Sequence, residues 1–137
     1  MPTETEFRSA AAAFRTAADE VRAPIAPLVA SFGPAALRGG ALTPDAGALV
    51  DASTAAMNAV VMRCEQLADE CDTRAAVCAE AYAALAAYER AYDRYERAHD
   101  DWEGDRDAAE AAGTPFDDDE PRPPRRPPPP PSWVEWP

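Results

Sequence analysis

Apolar residues return every seven positions along two stretches of this chain, each row shadowed by a second. Phe7, Phe14, Val21 and Leu28 form one row, with Ala11, Ala18, Ile25 and Phe32 four positions behind. Residues at that spacing share one side of an α-helix, so the pattern predicts an amphipathic helix. Its start is marked by "PTETEF", where Thr3 and Glu6 make a capping box. Pro24 and Pro27 lie inside the pattern without shifting its phase. Each removes a backbone donor and crowds the preceding turn, which predicts a kink or short break between Arg22 and Pro27.

The stretch "FGPAALRGGALTPD" holds Gly33, Pro34, Gly39, Gly40 and Pro44 and reads as helix end, loose connection and restart. Thr43 is the expected N-cap of a second helix, with Pro44 at its first position. From there Val50, Met57, Cys64, Cys71, Cys78, Leu85 and Tyr92 form one row. Val60, Leu67, Ala81, Tyr88 and Tyr95 form its companion, interrupted by Arg74. No breaker intervenes before Trp102, so the second helix is expected to run about 85 Å against about 50 Å for the first. The expected fold is mainly α, an antiparallel two-helix hairpin with a long second helix. Its overhang carries Tyr82, Tyr88, Tyr92, Tyr95 and Trp102. Such an aromatic face meets a protein partner, self-associates, or stays partly exposed; the plainer alternative lays the rings along arginine stems of the same helix.

Beyond Trp102 the periodicity stops. "EGDRDAAEAAGTPFDDDE" is acidic and contains Gly104 and Gly113, and "PRPPRRPPPPP" is confined to extended polyproline II geometry. Residues 1–103 are thus expected to form the hairpin and residues 104–137 a disordered acidic, proline-rich tail. Trp133 and Trp136 near its end read as a short docking motif or as a solvated terminus.

The three cysteines, Cys64, Cys71 and Cys78, are spaced by seven. On a helix such neighbours stand roughly 10 Å apart, too far to share one zinc ion or close a disulfide. They read as packing positions, with oxidation between chains left open. The formal net charge of −12 and 28% charged residues argue for an acidic protein and against nucleic acid as partner. Much of the 47% hydrophobic content is alanine, which suits a narrow helix contact and not a deep core. Lysine is absent and arginine supplies every basic side chain, a bias suggesting a GC-rich genome. No long apolar run predicts a membrane span or a general secretory signal.

Little of the sequence points to catalysis. His99, among Arg97, Asp100 and Asp101, is the only histidine and reads as a helix-face residue. A packed thiol is inert, "RGGAL" lacks the strand and lysine of a phosphate loop, and "FDDDE" lacks the alternating ligands and central glycine of a calcium loop. Pro121, Pro124 and Arg126 match a loose SH3-ligand spacing of low specificity. No cofactor or metal is expected, and the chain reads as non-enzymatic.

An alanine-rich helix, a glycine-containing connection and a second helix ending in spaced tyrosines together resemble the small WXG-type proteins of actinobacterial type VII (ESX) secretion, and among them the ESX-associated C-type relatives. The likeness covers Thr3 to Trp102. It implies export through a tyrosine followed four residues later by an acid, matched in "YDRYE" by Tyr92 and Glu96. Spacing of four puts both on one helix face. The Trp-x-Gly turn of that family is missing; "SFGP", with Phe32 and Gly33, is the nearest substitute. The resemblance implies a secreted or cell-surface substrate acting through protein contacts, with a helical partner from the same locus or a second copy. The rival reading is a cytoplasmic adaptor, chaperone or immunity-type partner that engages such a substrate through Trp133 and Trp136.

Overall fold

The computed structural model describes residues 3–32 and 43–134. Three helices follow one another: α1 (Glu4–Arg22), α2 (Ile25–Phe32) and α3 (Thr43–Ala112). No strand occurs among the described residues. The chain divides into two compact units, Met1–Ala76 and Val77–Pro137, and α3 contributes to both.

In the first unit the capping box forms as its spacing requires. The Glu6 N–H donates to Thr3 Oγ1 at 3.3 Å, and the Thr3 N–H donates to Glu6 Oε2 at 2.7 Å. The break expected between Arg22 and Pro27 divides the first helical stretch into two helices. Ala23 keeps helical dihedrals and its N–H still reaches Asp19 O at 2.9 Å, but Pro24 has no N–H to continue the ladder. The ladder resumes when the Leu28 N–H bonds Pro24 O at 2.9 Å. A two-helix hairpin is therefore replaced by α1 and α2 followed by one long α3.

The partners of α1 run in reverse order along α3. Arg74 lies over the Phe7 ring at 5.9 Å, Arg15 reaches Asp72 at 2.5 Å and Asp69 at 3.5 Å, and Arg22 pairs with Glu65. These ionic contacts flank a seam of small side chains. Phe7, Ala11 and Ala18 are buried on α1, and Val50, Val61, Ala68 and Ala75 on α3. Alanine at the contact lets two helix backbones come close, so the seam depends on shape more than on apolar area.

Between Val60 and Arg74 the row expected to accompany the cysteines is displaced by one position, whereas its members Ala81, Tyr88 and Tyr95 are half-buried as expected. Val61, Ala68 and Ala75 are buried, whereas Val60 is 49% exposed and Arg74 lies at the surface. Positions three and four behind a helical residue both neighbour it, and packing selects the smaller side chains. Cys64 and Cys71 are half-buried and Cys78 is buried, all three with free thiols, so the cysteine row does occupy packing positions.

In the second unit the helix continues through Gly104 and stops at Ala112. Gly113 has φ of 64°, its N–H bonds Glu110 O at 3.1 Å, and the Thr114 N–H bonds Ala109 O at 3.0 Å. These are the two bonds of a Schellman cap, which needs a left-handed residue and so favours glycine at this position. The boundary expected at 103–104 thus falls nine residues later, and Gly104 is ordinary helix. The residues after the cap are non-helical, as their prolines demand, yet they lie against α3 and not in solvent as a disordered tail. A turn with the Val134 N–H on Pro131 O at 2.9 Å ends the described segment.

Candidate functional site: an aromatic face and its strap

Within the second unit, α3 carries a continuous ladder of rings. Tyr88 and Tyr92 have centroids 5.9 Å apart, Tyr92 and Tyr95 5.7 Å, Tyr95 and His99 5.7 Å, and His99 and Trp102 6.0 Å. Alternating steps of three and four keep successive side chains on one helix face, and tilted rings at these separations attract. Beyond the cap the ladder gains Phe116, whose ring meets Trp102 edge-on at 5.7 Å. On another flank Arg106 stacks over Trp102 at 5.2 Å.

The tail returns along this face. The Trp102 indole N–H donates to Asp118 O at 2.9 Å, and His99 Nε2 lies 3.4 Å from Glu120 Oε1. Tyr95 then shares one recess with Asp119, Glu120, Pro121, Arg122 and Pro123, and Val77, Glu80, Ala81 and Ala84 share another with Pro127 to Pro131. Higher numbers in the tail meet lower numbers on α3, so the two run antiparallel.

Burial along the tail has a period of three. Pro121, Pro124, Pro127, Pro130 and Trp133 are half-buried, while every residue between them from Arg122 to Ser132 is exposed. A polyproline II helix has three residues per turn, so every third side chain points the same way. One edge of the tract lies on α3, and Arg122, Arg125 and Arg126 lie on the outer edges. The dimensions agree: Pro121 to Pro130 spans about 28 Å at polyproline II rise, and Tyr95 to Val77 about 27 Å at α-helical rise.

The residues singled out from the sequence separate accordingly. Tyr88, Tyr95 and Trp102 are half-buried, the last two beside the tail, whereas Tyr82 at 38% and Tyr92 at 37% retain more exposure. Glu96 is exposed one turn beyond Tyr92. Trp133 is half-buried and its neighbour Val134 is buried at 4%, so Trp133 is packed and not presented on a leash. Trp136 lies outside the described residues. Pro121 and Pro124 face inward, which removes them from the SH3-type spacing with Arg126 while the tail is docked.

Sequence reasoning missed the roles of His99 and Phe116 and the inward proline row. The step from Tyr95 to His99 to Trp102 carries the same three-four alternation as the tyrosines, and the prolines carry their own period, so both signals were present.

Among the described residues three groups have displaced pKa values, and all belong to structural contacts. Backbone and side-chain hydrogen bonds from Thr3 lower that of Glu6. Asp72 raises that of Arg15 and Asp107 that of Arg106, each through a hydrogen bond that favours the charged guanidinium. His99, Asp100 and Glu103 bring three ligand atoms within 4.8 Å of one another. Both acids are exposed, and a single imidazole with two solvated carboxylates falls short of the four ligands of a structural zinc site.

A second apolar surface belongs to the first unit. Leu28 and Phe32 of α2 and Ala46, Leu49, Val50 and Ser53 of α3 line an open recess, and Leu49 is 68% exposed. Although α2 is strongly apolar, it buries no residue fully. No helix among the described residues is long and apolar enough to cross a membrane. No family model, curated protein or solved structure matches this chain.

Proposed function

We propose that this chain is a non-enzymatic helical protein that works through surface contacts, and that its contacts serve a type VII secretion pathway. The observation carrying this reading is the exposure of Tyr92 and Glu96 together, one turn apart on α3 beside the docked tail. Two side chains on one helix face, one aromatic and one acidic, suit a groove that reads a helix through spaced anchors. The exposed Val29, Phe32 and Leu49 supply apolar surface for a helical partner. The displaced pKa values belong to a cap and to surface ion pairs, which fits binding better than catalysis.

Export is tested by Tyr92→Ala and Glu96→Ala in a strain that carries the secretion system. Loss of the protein from the medium with its cellular level maintained supports the reading; unchanged export of both variants removes it. The cytoplasmic adaptor reading drew on Trp133 and Trp136 as a free docking motif, and the packing of Trp133 gives it less support.

A further inference from the structure

We propose that the face of α3 from Val77 to Trp102 is a binding site for polyproline II segments, that the chain's own tail is its resident ligand, and that a proline-rich peptide supplied in trans takes the same site when the tail is weakened. This proposal stands apart from the secretion reading and is tested on purified protein.

The argument starts from how the tail is held. The hydrogen bond from the Trp102 indole to the Asp118 carbonyl lies ahead of the proline tract. Beyond it the partners of α3 are Pro121 to Pro131, which meet Tyr95 at one end and Val77, Ala81 and Ala84 at the other. Apolar contact along the inward proline edge, with Tyr95 at one end and Val77, Ala81 and Ala84 at the other, contributes to holding the tract. Each turn of polyproline II advances about 9 Å, the rise of about six α-helical residues, so the inward prolines from Pro121 to Pro130 span the stretch of α3 from Tyr95 to Val77. Aromatic grooves bind proline-rich segments in this manner because the ligand is already extended and loses little entropy on docking.

Such a site does not require the ligand to come from the same chain. It favours the tail through connectivity: a short linker gives the resident segment an effective concentration in the millimolar range. The connection here is short, a Schellman cap at Gly113 followed by Phe116, which already touches Trp102. An outside peptide at micromolar concentration therefore loses to the tail in the native chain and wins once the inward prolines are spoiled. Charged side chains on that edge would sit against tyrosine rings and methyl groups, and such burial is unfavourable.

The test uses the full chain carrying Pro124→Asp and Pro127→Asp, with a fluorescent peptide of residues 115–134 as probe. Saturable binding to this variant is expected at micromolar peptide, with at least ten-fold weaker binding to the native chain. The same peptide bearing Pro124→Asp and Pro127→Asp should not bind, and adding Tyr95→Ala to the protein variant should weaken binding by about ten-fold. Circular dichroism checks that α3 remains helical; if it does not, Pro124→Ala with Pro127→Ala replaces the aspartate pair. Failure of the intact peptide to bind a helical variant overturns the proposal, as does equal binding of the spoiled peptide.

Discussion

The indole N–H of Trp102 donates to the Asp118 carbonyl at 2.9 Å, tying the last aromatic rung of α3 to the chain sixteen residues later. The bond stands at the point where the tail turns back, so it fixes where the proline tract begins its run. Trp102→Phe keeps a ring against Phe116 and removes only the donor. Its expected cost to tail docking is about 1 kcal/mol, the net worth of one such bond. Limited trypsin digestion reads this at the Arg125–Arg126 bond, since Arg122 and Arg126 precede proline and resist cleavage. A several-fold faster cut in the variant is the expected result, and an unchanged rate would show that the bond does not hold the tail.

The three-residue period separates two neighbouring prolines that look alike in sequence. Pro130 is half-buried and Pro129 exposed. Pro130→Ala and Pro129→Ala relax the backbone equally but differ in lost contact. Only Pro130→Ala should accelerate cleavage at Arg125–Arg126 strongly, with a difference of about 0.5–1 kcal/mol from the apolar surface uncovered. Equal effects would contradict the inward row.

In the first unit the alanine seam leaves no room for growth. Ala75 is 2% exposed and its neighbour Ala76 is exposed. Ala75→Leu should cost about 1–3 kcal/mol by overpacking, whereas Ala76→Leu should stay within about 0.5 kcal/mol. Denaturant unfolding of both variants makes the comparison, and equal stability would mean that the helices are not in close contact there.

The capping box gives α1 a dependence on pH. Hydrogen bonds from Thr3 hold the Glu6 carboxyl below its ordinary value. A carboxylate with a lowered folded pKa adds stability above its unfolded value of about 4.3 and loses it as pH falls through the folded value. Glu6→Gln keeps an acceptor but cannot titrate, so its stability should decline less than that of the native chain in the acid limb below about pH 4.3. Thermal unfolding across pH 2 to 7 reads the difference, and parallel curves would exclude a contribution from Glu6.

The helical content was legible because heptad spacing survives any choice of partner. Thr3 and Glu6 announced the start of α1, and Pro24 announced the break that divides α1 from α2. The row beside the cysteines was misplaced because positions three and four away both satisfy the repeat. Ala68 and Ala75 prevail over Leu67 and Arg74 only once a second helix must approach closely. Gly104 misled because a lone glycine in a well-packed helix costs only about 1 kcal/mol, which neighbouring turns absorb.

The aromatic face was legible as a surface lacking a partner, from Tyr88, Tyr92, Tyr95 and Trp102 alone. Its occupant was not, because composition describes proline and arginine as soluble and extended without saying what they lie against. By itself the amino-acid order determined that residues 121–131 would be extended and that α3 would carry rings on one side. Tertiary structure decided that these two elements meet, because only the reversal at Gly113 brings the inward edge of the extended tract against the stretch of α3 from Tyr95 to Val77.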